Sequence, residues 1–316
     1  MALDDGDRGR TRPDAGRARD PLRRYALGSV LVGLAVLALK LGAWVATGAV
    51  ALWADALESL VNIAAALVAW RAIALASRPA DAGHPYGHGK AEYLSAVVEG
   101  VLIVLAAASI VTEAAGDLAD PARIGAPLSG LALPLAAGAT VLNAAWGGWL
   151  LREGRRRRSP ALEASGRHLM TDVASTAAVL AGLGLATLTG WAVLDPLIAR
   201  GVAAVILTQG ARLLRGAAGG LMDEAADAEM RARIRAAIEA SGAGATQAHA
   251  IRTRVSGRHT FVDFHLIVPG AMTVAEAHRI CDRIEAAVDE ALPGEAVVAI
   301  HVEPEHEAVP RPAVTF

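Results

Sequence analysis

The sequence predicts an all-α transmembrane domain of six helices followed by a cytoplasmic α+β domain. Six apolar runs fill the first two thirds of the chain, and the residues after Gly220 become polar and amphipathic. The composition agrees, because 54% of the 316 residues are hydrophobic and only 20% are charged. An ordinary soluble domain of this length carries more charge, spread evenly along the chain.

Each apolar run is long enough for a helix to cross the hydrocarbon core of a membrane. The predicted spans are Tyr25–Ala46, Val50–Ser77, Tyr93–Ala115, Pro127–Leu151, Ala161–Leu188 and Trp191–Arg215. The fifth is the weakest, since His168 and Asp172 interrupt it. We expect residues 23–218 to form the membrane domain and residues 1–22 to be a disordered cytoplasmic tail.

Arginine and lysine predict the orientation of these spans. The first 24 residues are rich in arginine, Arg78 and Lys90 lie between spans two and three, and Arg155–Arg158 follow span four. Positively charged loops stay in the cytoplasm, so both termini are predicted to be cytoplasmic. We expect a multi-pass protein of the inner (plasma) membrane. The arginine cluster fits this topology or contact with anionic membrane lipid, and we expect no nucleic-acid partner.

The tail predicts a small two-layer domain over residues 219–306. Helical spacing and alternating apolar residues give the order α-β-β-α-β, which is typical of ferredoxin-like folds. The elements are Ala225–Ala240, Ala248–Ser256, Thr260–Val268, Val274–Leu292 and Ala296–Glu303. Residues 307–316 are expected to be loose. The single cysteine excludes an intrachain disulfide.

Polar side chains inside the apolar spans need a physical reason, because a carboxylate at the bilayer centre costs roughly 2.5–3.5 kcal/mol. Asp55, Glu58 and Asn62 share one face of span two, and His168 and Asp172 share one face of span five. Nitrogen and oxygen groups without sulfur suit Zn²⁺, and also Mn²⁺, Fe²⁺, Co²⁺ or Ni²⁺. The two rows could therefore close a metal site; a hydrogen-bond cluster between two spans is the alternative.

Lys40 and Asp55 predict a structural ion pair. They lie equally far from the turn at Thr47-Gly48, so they should reach similar depths on neighbouring helices. Leaving either charge alone in that position would be costly.

Two further groups of metal-ligand residues lie outside the spans. Asp81, His84 and His88 occur within eight residues of the loop after span two, as a second metal site or as an ordinary solvated loop. Six of the nine histidines lie in the tail, as a metal cluster or as polar surface. They are His249, His259, His265, His278, His301 and His306.

Two motifs carry a resemblance to a known family. His84–Glu92 reads His-Pro-Tyr-Gly-His-Gly-Lys-Ala-Glu, and span five contains His168-x-x-x-Asp172. Together with the six spans, these resemble the cation diffusion facilitators over about residues 22–306, and the tail resembles that family's metallochaperone-like domain. The resemblance implies a transporter; no nucleophile–base constellation indicates an enzyme.

The resemblance also implies site residues. The transport site would be Glu58, Asn62, His168 and Asp172, although His or Asp is commoner where Glu58 stands and Asp is usual where Asn62 stands. The loop site would be Asp81, His84 and His88. The binuclear tail site would be His249, His265, His278, His301 and Glu303, with Glu303 standing where Asp is usual. Lys90 and Asp223 would form an inter-subunit salt bridge in a homodimer, and Asp55 would be structural.

The function that follows is proton-coupled efflux of a divalent transition metal, with zinc the leading candidate as cargo and as tail ligand. Asn62 leaves the metal open, because an amide is a weaker, uncharged ligand. A membrane-bound metal sensor or buffer without flux, and a passive cation channel, are the alternatives.

Overall fold

The computed structural model describes residues 21–47, 50–119, 132–189, 191, 194–292, 295–308 and 314–316. Within these ranges the first part of the chain folds into six long helices. They are α1 Pro21–Thr47, α2 Val50–Ala76, α3 Ala91–Ala119, α4 Ala132–Arg157, α5 Pro160–Thr189 and α6 Leu194–Leu221. Each helix overlaps one predicted span. Residues 1–20 of the predicted disordered tail lie outside the described residues.

Over the described residues, four of these helices are long and apolar enough to cross a membrane. They are α1, α2, α3 and α6. The other two carry more charge: α4 ends in three consecutive arginines, and α5 carries Glu163, Arg167 and Asp172. The helical membrane architecture is therefore confirmed, while the crossing of all six helices stays a prediction.

Packing within the membrane domain brings α2, α3 and α5 into contact. The main neighbours are α1 with α2, α3 with α6 and α4 with α5, and α5 also packs against α3 and α2. Polar side chains on these three helices can therefore meet.

The basic segment after the fourth predicted span is helical, and not a loop as its sequence position suggests. α4 continues to Arg157, and residues 158–159 alone connect it to α5. Glu153 accepts hydrogen bonds from Arg157 Nε at 2.8 Å and from Arg156 Nη1 at 3.5 Å. Ion pairs three and four residues apart stabilise a helix, so they extend α4 beyond its apolar part.

The tail domain contains two helices on one face of a four-stranded sheet. Its elements are α7 Ala228–Ser241, β1 Gln247–Ser256, β2 His259–Val268, α8 Val274–Ala291, β3 Glu295–Pro304 and β4 Val314–Thr315. The strand order is β3-β2-β1-β4, with β2 antiparallel to β1 and parallel to β3. The core of this domain includes Ile234 and Ile238 of α7, Phe264 and Leu266 of β2, and Ile284 of α8. The predicted α-β-β-α-β order is confirmed, and β4 adds a strand to it.

The prediction that residues 307–316 are loose is wrong at the C-terminal end. Val314 pairs with Ala248 and Thr315 with Gln247, so β4 covers the edge of β1. Val314 is buried in the tail core. β-branched residues favour strands, and an uncovered edge presents unpaired backbone groups, which together explain the pairing.

Candidate metal centres

The first candidate site lies between α2 and α5. The Asn62 side chain of α2 donates from Nδ2 to Asp172 Oδ2 at 2.6 Å, and its Oδ1 lies 2.7 Å from His168 Nε2. His168 and Asp172 project from the same face of α5 because they are four residues apart. One amide, one imidazole and one carboxylate therefore meet at a single point inside the membrane domain.

Burial differs among the four residues predicted for this site. His168 and Asp172 are buried, Asn62 is half-buried, and Glu58, one turn before Asn62, is exposed. The four groups offer nitrogen and oxygen donors without sulfur, which suits a borderline divalent cation.

Glu99 of α3 is a further member of this site that the sequence analysis missed. Its side chain is 2% exposed, its Oε2 lies 3.8 Å from His168 Nδ1, and its Oε1 accepts a hydrogen bond from Ser165 Oγ at 2.7 Å. The available signal was a carboxylate within the third apolar span, the same feature that drew attention to spans two and five. Two buried carboxylates, Glu99 and Asp172, therefore belong to the surroundings of His168.

The predicted Lys40–Asp55 pair is only half described. Lys40 is buried in α1 with 8% exposure. The backbone of Asp55 is helical, but its side chain lies outside the described residues. The ion pair therefore stays a prediction.

The loop between α2 and α3 brings its three predicted ligands together. Asp81 Oδ1 lies 3.2 Å from His84 Nδ1, and Asp81 Oδ2 lies 3.4 Å from His88 Nε2. The backbone amide of His84 is the main reason that the pKa of Asp81 lies below its ordinary value. An ionised carboxylate beside two imidazoles can bind a cation.

Gly87 and Gly89 permit the course of this loop. Gly87 has a φ of +81°, a conformation that other residues rarely adopt. A Cβ on Gly89 would lie 2.6 Å from the Ser256 carbonyl oxygen of the tail. The second glycine therefore lets the loop touch the turn between β1 and β2.

The tail presents a row of three histidines across its sheet. His249 of β1 pairs with His265 of β2, which pairs with His301 of β3. Successive ring centroids are 5.1 and 5.0 Å apart. β1 has an irregularity between His249 and Arg252, with Ala250 at a φ of +52°, and such bulges re-aim neighbouring side chains.

Glu303 completes this row. Its Oε1 lies 2.7 Å from His265 Nδ1 and 3.6 Å from His301 Nε2, and its Oε2 lies 3.6 Å from His249 Nε2. Donor atoms of His249, His265 and Glu303 all lie within 4.8 Å of one another. The sheet therefore gathers four of the five residues predicted for the tail site.

His278 is the exception. It lies on α8, where its side chain is 74% exposed and its Nε2 is 3.8 Å from Asp282 one turn later. α8 packs on the tail core through Ile280, Ile284 and Val288. The contact described for His278 is within its own helix, and its part in the tail site stays a prediction.

Lys90 and Asp223 form an ion pair within one chain. Lys90 Nζ lies 3.0 Å from Asp223 Oδ1, and Arg254 Nη1 lies 3.3 Å from the same oxygen. This arrangement differs from the inter-subunit bridge that the resemblance implies. Asp223 has a positive φ of 59° in the turn after α6, which brings its carboxylate back toward the loop.

A bundle of long apolar helices with ligand-type side chains inside it, followed by a two-layer tail, defines a helical membrane protein with candidate metal sites. Residues 26–222 match the cation efflux transmembrane domain, and residues 226–305 match the cytoplasmic domain of cation efflux proteins. The chain belongs to the cation efflux family, the cation diffusion facilitators. The predicted family is confirmed, and with it the prediction of a transporter and not an enzyme. The match to this cytoplasmic domain indicates a homodimer.

Several relatives cover nearly the whole chain. An uncharacterized transporter of Synechocystis sp. is 42% identical over 89% of this chain and 90% of its own length. The cation-efflux pump FieF of Pectobacterium atrosepticum is 34% identical over 88% of this chain and 91% of its own length. The FieF of Escherichia coli is 32% identical over 89% of this chain and 92% of its own length. A solved structure of CzrB in its zinc form, described as a zinc transporter, is 43% identical over 28% of this chain and 99% of its own, with a TM-score of 0.27.

Proposed function

We propose that this protein exports a divalent transition-metal ion from the cytoplasm in exchange for protons, with zinc the leading cargo. The cargo binds Glu58 and Asn62 of α2 and His168 and Asp172 of α5. The observation that carries the proposal is the contact of Asn62 with both His168 and Asp172, since it joins three donor groups on two helices. Relatives named cation-efflux pumps support the direction of transport.

Proton coupling follows from the chemistry of these ligands. A metal ion binds deprotonated carboxylates and the free imidazole nitrogen, so protons compete for the same groups. His168 suits this competition because the ordinary pKa of imidazole lies near neutrality. Protons arriving from outside displace the cargo and drive the site back toward the cytoplasm, in a homodimer that alternates between two faces.

The remaining sites have supporting roles in this proposal. The loop site at Asp81, His84 and His88 and the tail site at His249, His265, His301 and Glu303 bind cytoplasmic metal. Metal in the tail favours the transporting state only if the two states differ in metal affinity. The protein lies in a bacterial inner membrane with both termini cytoplasmic.

Flux in reconstituted vesicles tests the proposal. Purified protein is placed in vesicles with an imposed pH gradient, and uptake of zinc, manganese, iron, cobalt and nickel is compared. Asp172→Ala should abolish the gradient-dependent flux. Asp282→Ala, which removes a half-exposed carboxylate of the tail helix α8, is the matched control and should transport normally.

The other outcomes identify the alternatives. Metal binding without flux would favour a sensor or buffer, and flux that ignores the pH gradient would favour a channel. Full proton-driven flux in Asp172→Ala would contradict the proposed transport site.

A further inference from the structure

We infer that Glu99 is a positioning residue that holds the His168 ring with Nε2 directed at the cargo. The inference rests on the proposed function, because it concerns the same site. It assigns to α3, which supplies none of the four proposed ligands, a part in cargo binding.

The two nitrogens of His168 face different partners. Nε2 lies 2.7 Å from Asn62 Oδ1 and so points toward the proposed transport site. Nδ1 lies on the other edge of the ring, 3.8 Å from Glu99 Oε2. When Nε2 coordinates a metal, a neutral imidazole carries its proton on Nδ1, and that proton needs an acceptor.

Glu99 offers that acceptor. In the described part of the chain, neither His168 Nδ1 nor Glu99 Oε2 has a hydrogen-bond partner, and both atoms are buried. Buried polar atoms normally find partners, so two such atoms that face each other are a matched pair. Closing the 3.8 Å separation by about 1 Å would give an ordinary hydrogen bond.

The position of Glu99 is itself fixed. Its Oε1 accepts the Ser165 hydroxyl at 2.7 Å, and Ser165 lies on α5 one turn before His168. The carboxylate is therefore attached to the helix that carries the imidazole it faces. Histidines that bind metals commonly donate their second nitrogen to a carboxylate, which sets the tautomer and ring orientation.

The test measures metal binding and one spectroscopic signal in the full-length protein. The background carries His84→Ala and His265→Ala, so that neither cytoplasmic site binds zinc tightly. In it, Glu99→Ala should weaken zinc binding by about 10–100-fold. Glu99→Gln, whose amide oxygen can still accept from Nδ1, should stay within a few-fold of the parent. Val98→Ala, the neighbouring residue of α3, should leave zinc binding unchanged.

Nitrogen-15 NMR of histidine-labelled protein supplies the second readout. The His168 signals are those missing in His168→Gln. With zinc bound, the parent should show a slowly exchanging Nδ1–H, and Glu99→Ala should lose it; a general loss of packing would not remove this one signal selectively. Ser165→Ala removes the hydroxyl that holds the Glu99 carboxylate, so the Nδ1–H proton of His168 should exchange with water faster in this variant than in the parent.

Unchanged zinc affinity and an unchanged Nδ1–H signal in Glu99→Ala would overturn the inference. Equal weakening in Glu99→Ala and Glu99→Gln would also overturn it, because it would point to net charge instead of the hydrogen bond. Asp172→Ala in the same background separates the two proposals. If Asp172→Ala loses binding while Glu99→Ala does not, only the role of Glu99 fails; if Asp172→Ala binds and transports normally, the proposed transport site fails.

Discussion

Lys90 Nζ lies 3.0 Å from Asp223 Oδ1, and this contact joins the loop that carries one candidate metal site to the start of the tail domain. Arg254 of β1 binds the same carboxylate oxygen at 3.3 Å and lies over the Tyr86 and Phe261 rings, 4.6 and 4.3 Å from their centroids. The loop, the end of α6 and the sheet therefore meet at one charged point.

Removing either partner should loosen this junction. Lys90→Ala and Asp223→Ala should each speed proteolysis of the segment after α6, and the double variant should be little worse than either single one. Both side chains are more than a third exposed, so we expect a coupling energy of only about 0.2–1 kcal/mol. If the effects of the two single substitutions on the proteolysis rate add up in the double variant, Lys90 and Asp223 act independently.

The same junction should resist mild acid. Lys90, followed by Arg254, holds the pKa of Asp223 below its ordinary value. A depressed pKa gives stabilisation that is complete above the unfolded value, about 3.9, and that is lost as pH falls through the lower folded value. Proteolytic protection should therefore stay constant from pH 8 to pH 5 and weaken only below about pH 4. Asp223→Asn should lack the acid-dependent component, and a loss between pH 8 and pH 6 would implicate another group.

Gly89 should be the least replaceable residue of the loop that contacts the tail. A Cβ at this position would lie 2.6 Å from the Ser256 carbonyl oxygen, a backbone atom with little freedom to move. Gly89→Ala should therefore weaken docking of the tail on the loop by about 1–3 kcal/mol. Gly83→Ala is the matched control, since its Cβ would meet Asp81 Oδ1 at an ordinary 3.4 Å. Protease sensitivity of the tail measures both variants, and equal effects would argue against a specific contact.

The tail histidines should differ in their contribution to metal binding. His265 shares its cluster with His249 and Glu303, whereas His278 lies on α8 beside Asp282. In protein with Asp172→Ala and His84→Ala, His265→Ala should lower tail zinc affinity at least tenfold, or by about 1.4 kcal/mol. His278→Ala should change it little. A comparable loss in His278→Ala would show that the residue joins the site from a partner subunit or another conformation.

Sequence patterns predicted the helices, the sheet and most of the candidate sites, because each rests on local spacing. The face shared by His168 and Asp172 follows from helical geometry, and the strand carrying His301 and Glu303 follows from alternation. Spacing along the chain could not predict which helices and strands pack against each other. Glu99 was missed because its role depends on α3 packing against α5.

Two errors of boundary have a similar origin. The arginines after Leu151 appeared to be a loop because a membrane span ends where apolar residues end. The helix continues because Glu153 pairs with Arg156 and Arg157. Likewise, β4 is too short to show a periodic pattern in the sequence. It forms because its residues pair with the edge of β1.

Asn62 is the residue whose replacement says most about the cargo. In the present structure its amide nitrogen donates to Asp172 Oδ2 at 2.6 Å. Asn62→Asp removes that donor and places two carboxylates at hydrogen-bond distance. Without metal the carboxylates repel each other, and a bound divalent ion relieves the repulsion. The variant should therefore unfold at a lower temperature without metal and gain more from zinc than the parent.

The gain can be measured as a shift in unfolding temperature against zinc concentration, in protein lacking the loop and tail sites. A tenfold tighter site adds about 1.4 kcal/mol of stabilisation at saturating metal. Asn143→Asp is the control, because Asn143 is a buried asparagine of the membrane domain that belongs to α4, outside the site. It should lose stability without gaining zinc dependence. If Asn62→Asp binds zinc no more tightly than the parent, the amide does not face the cargo, and the ligand set must be drawn from the remaining carboxylates and His168.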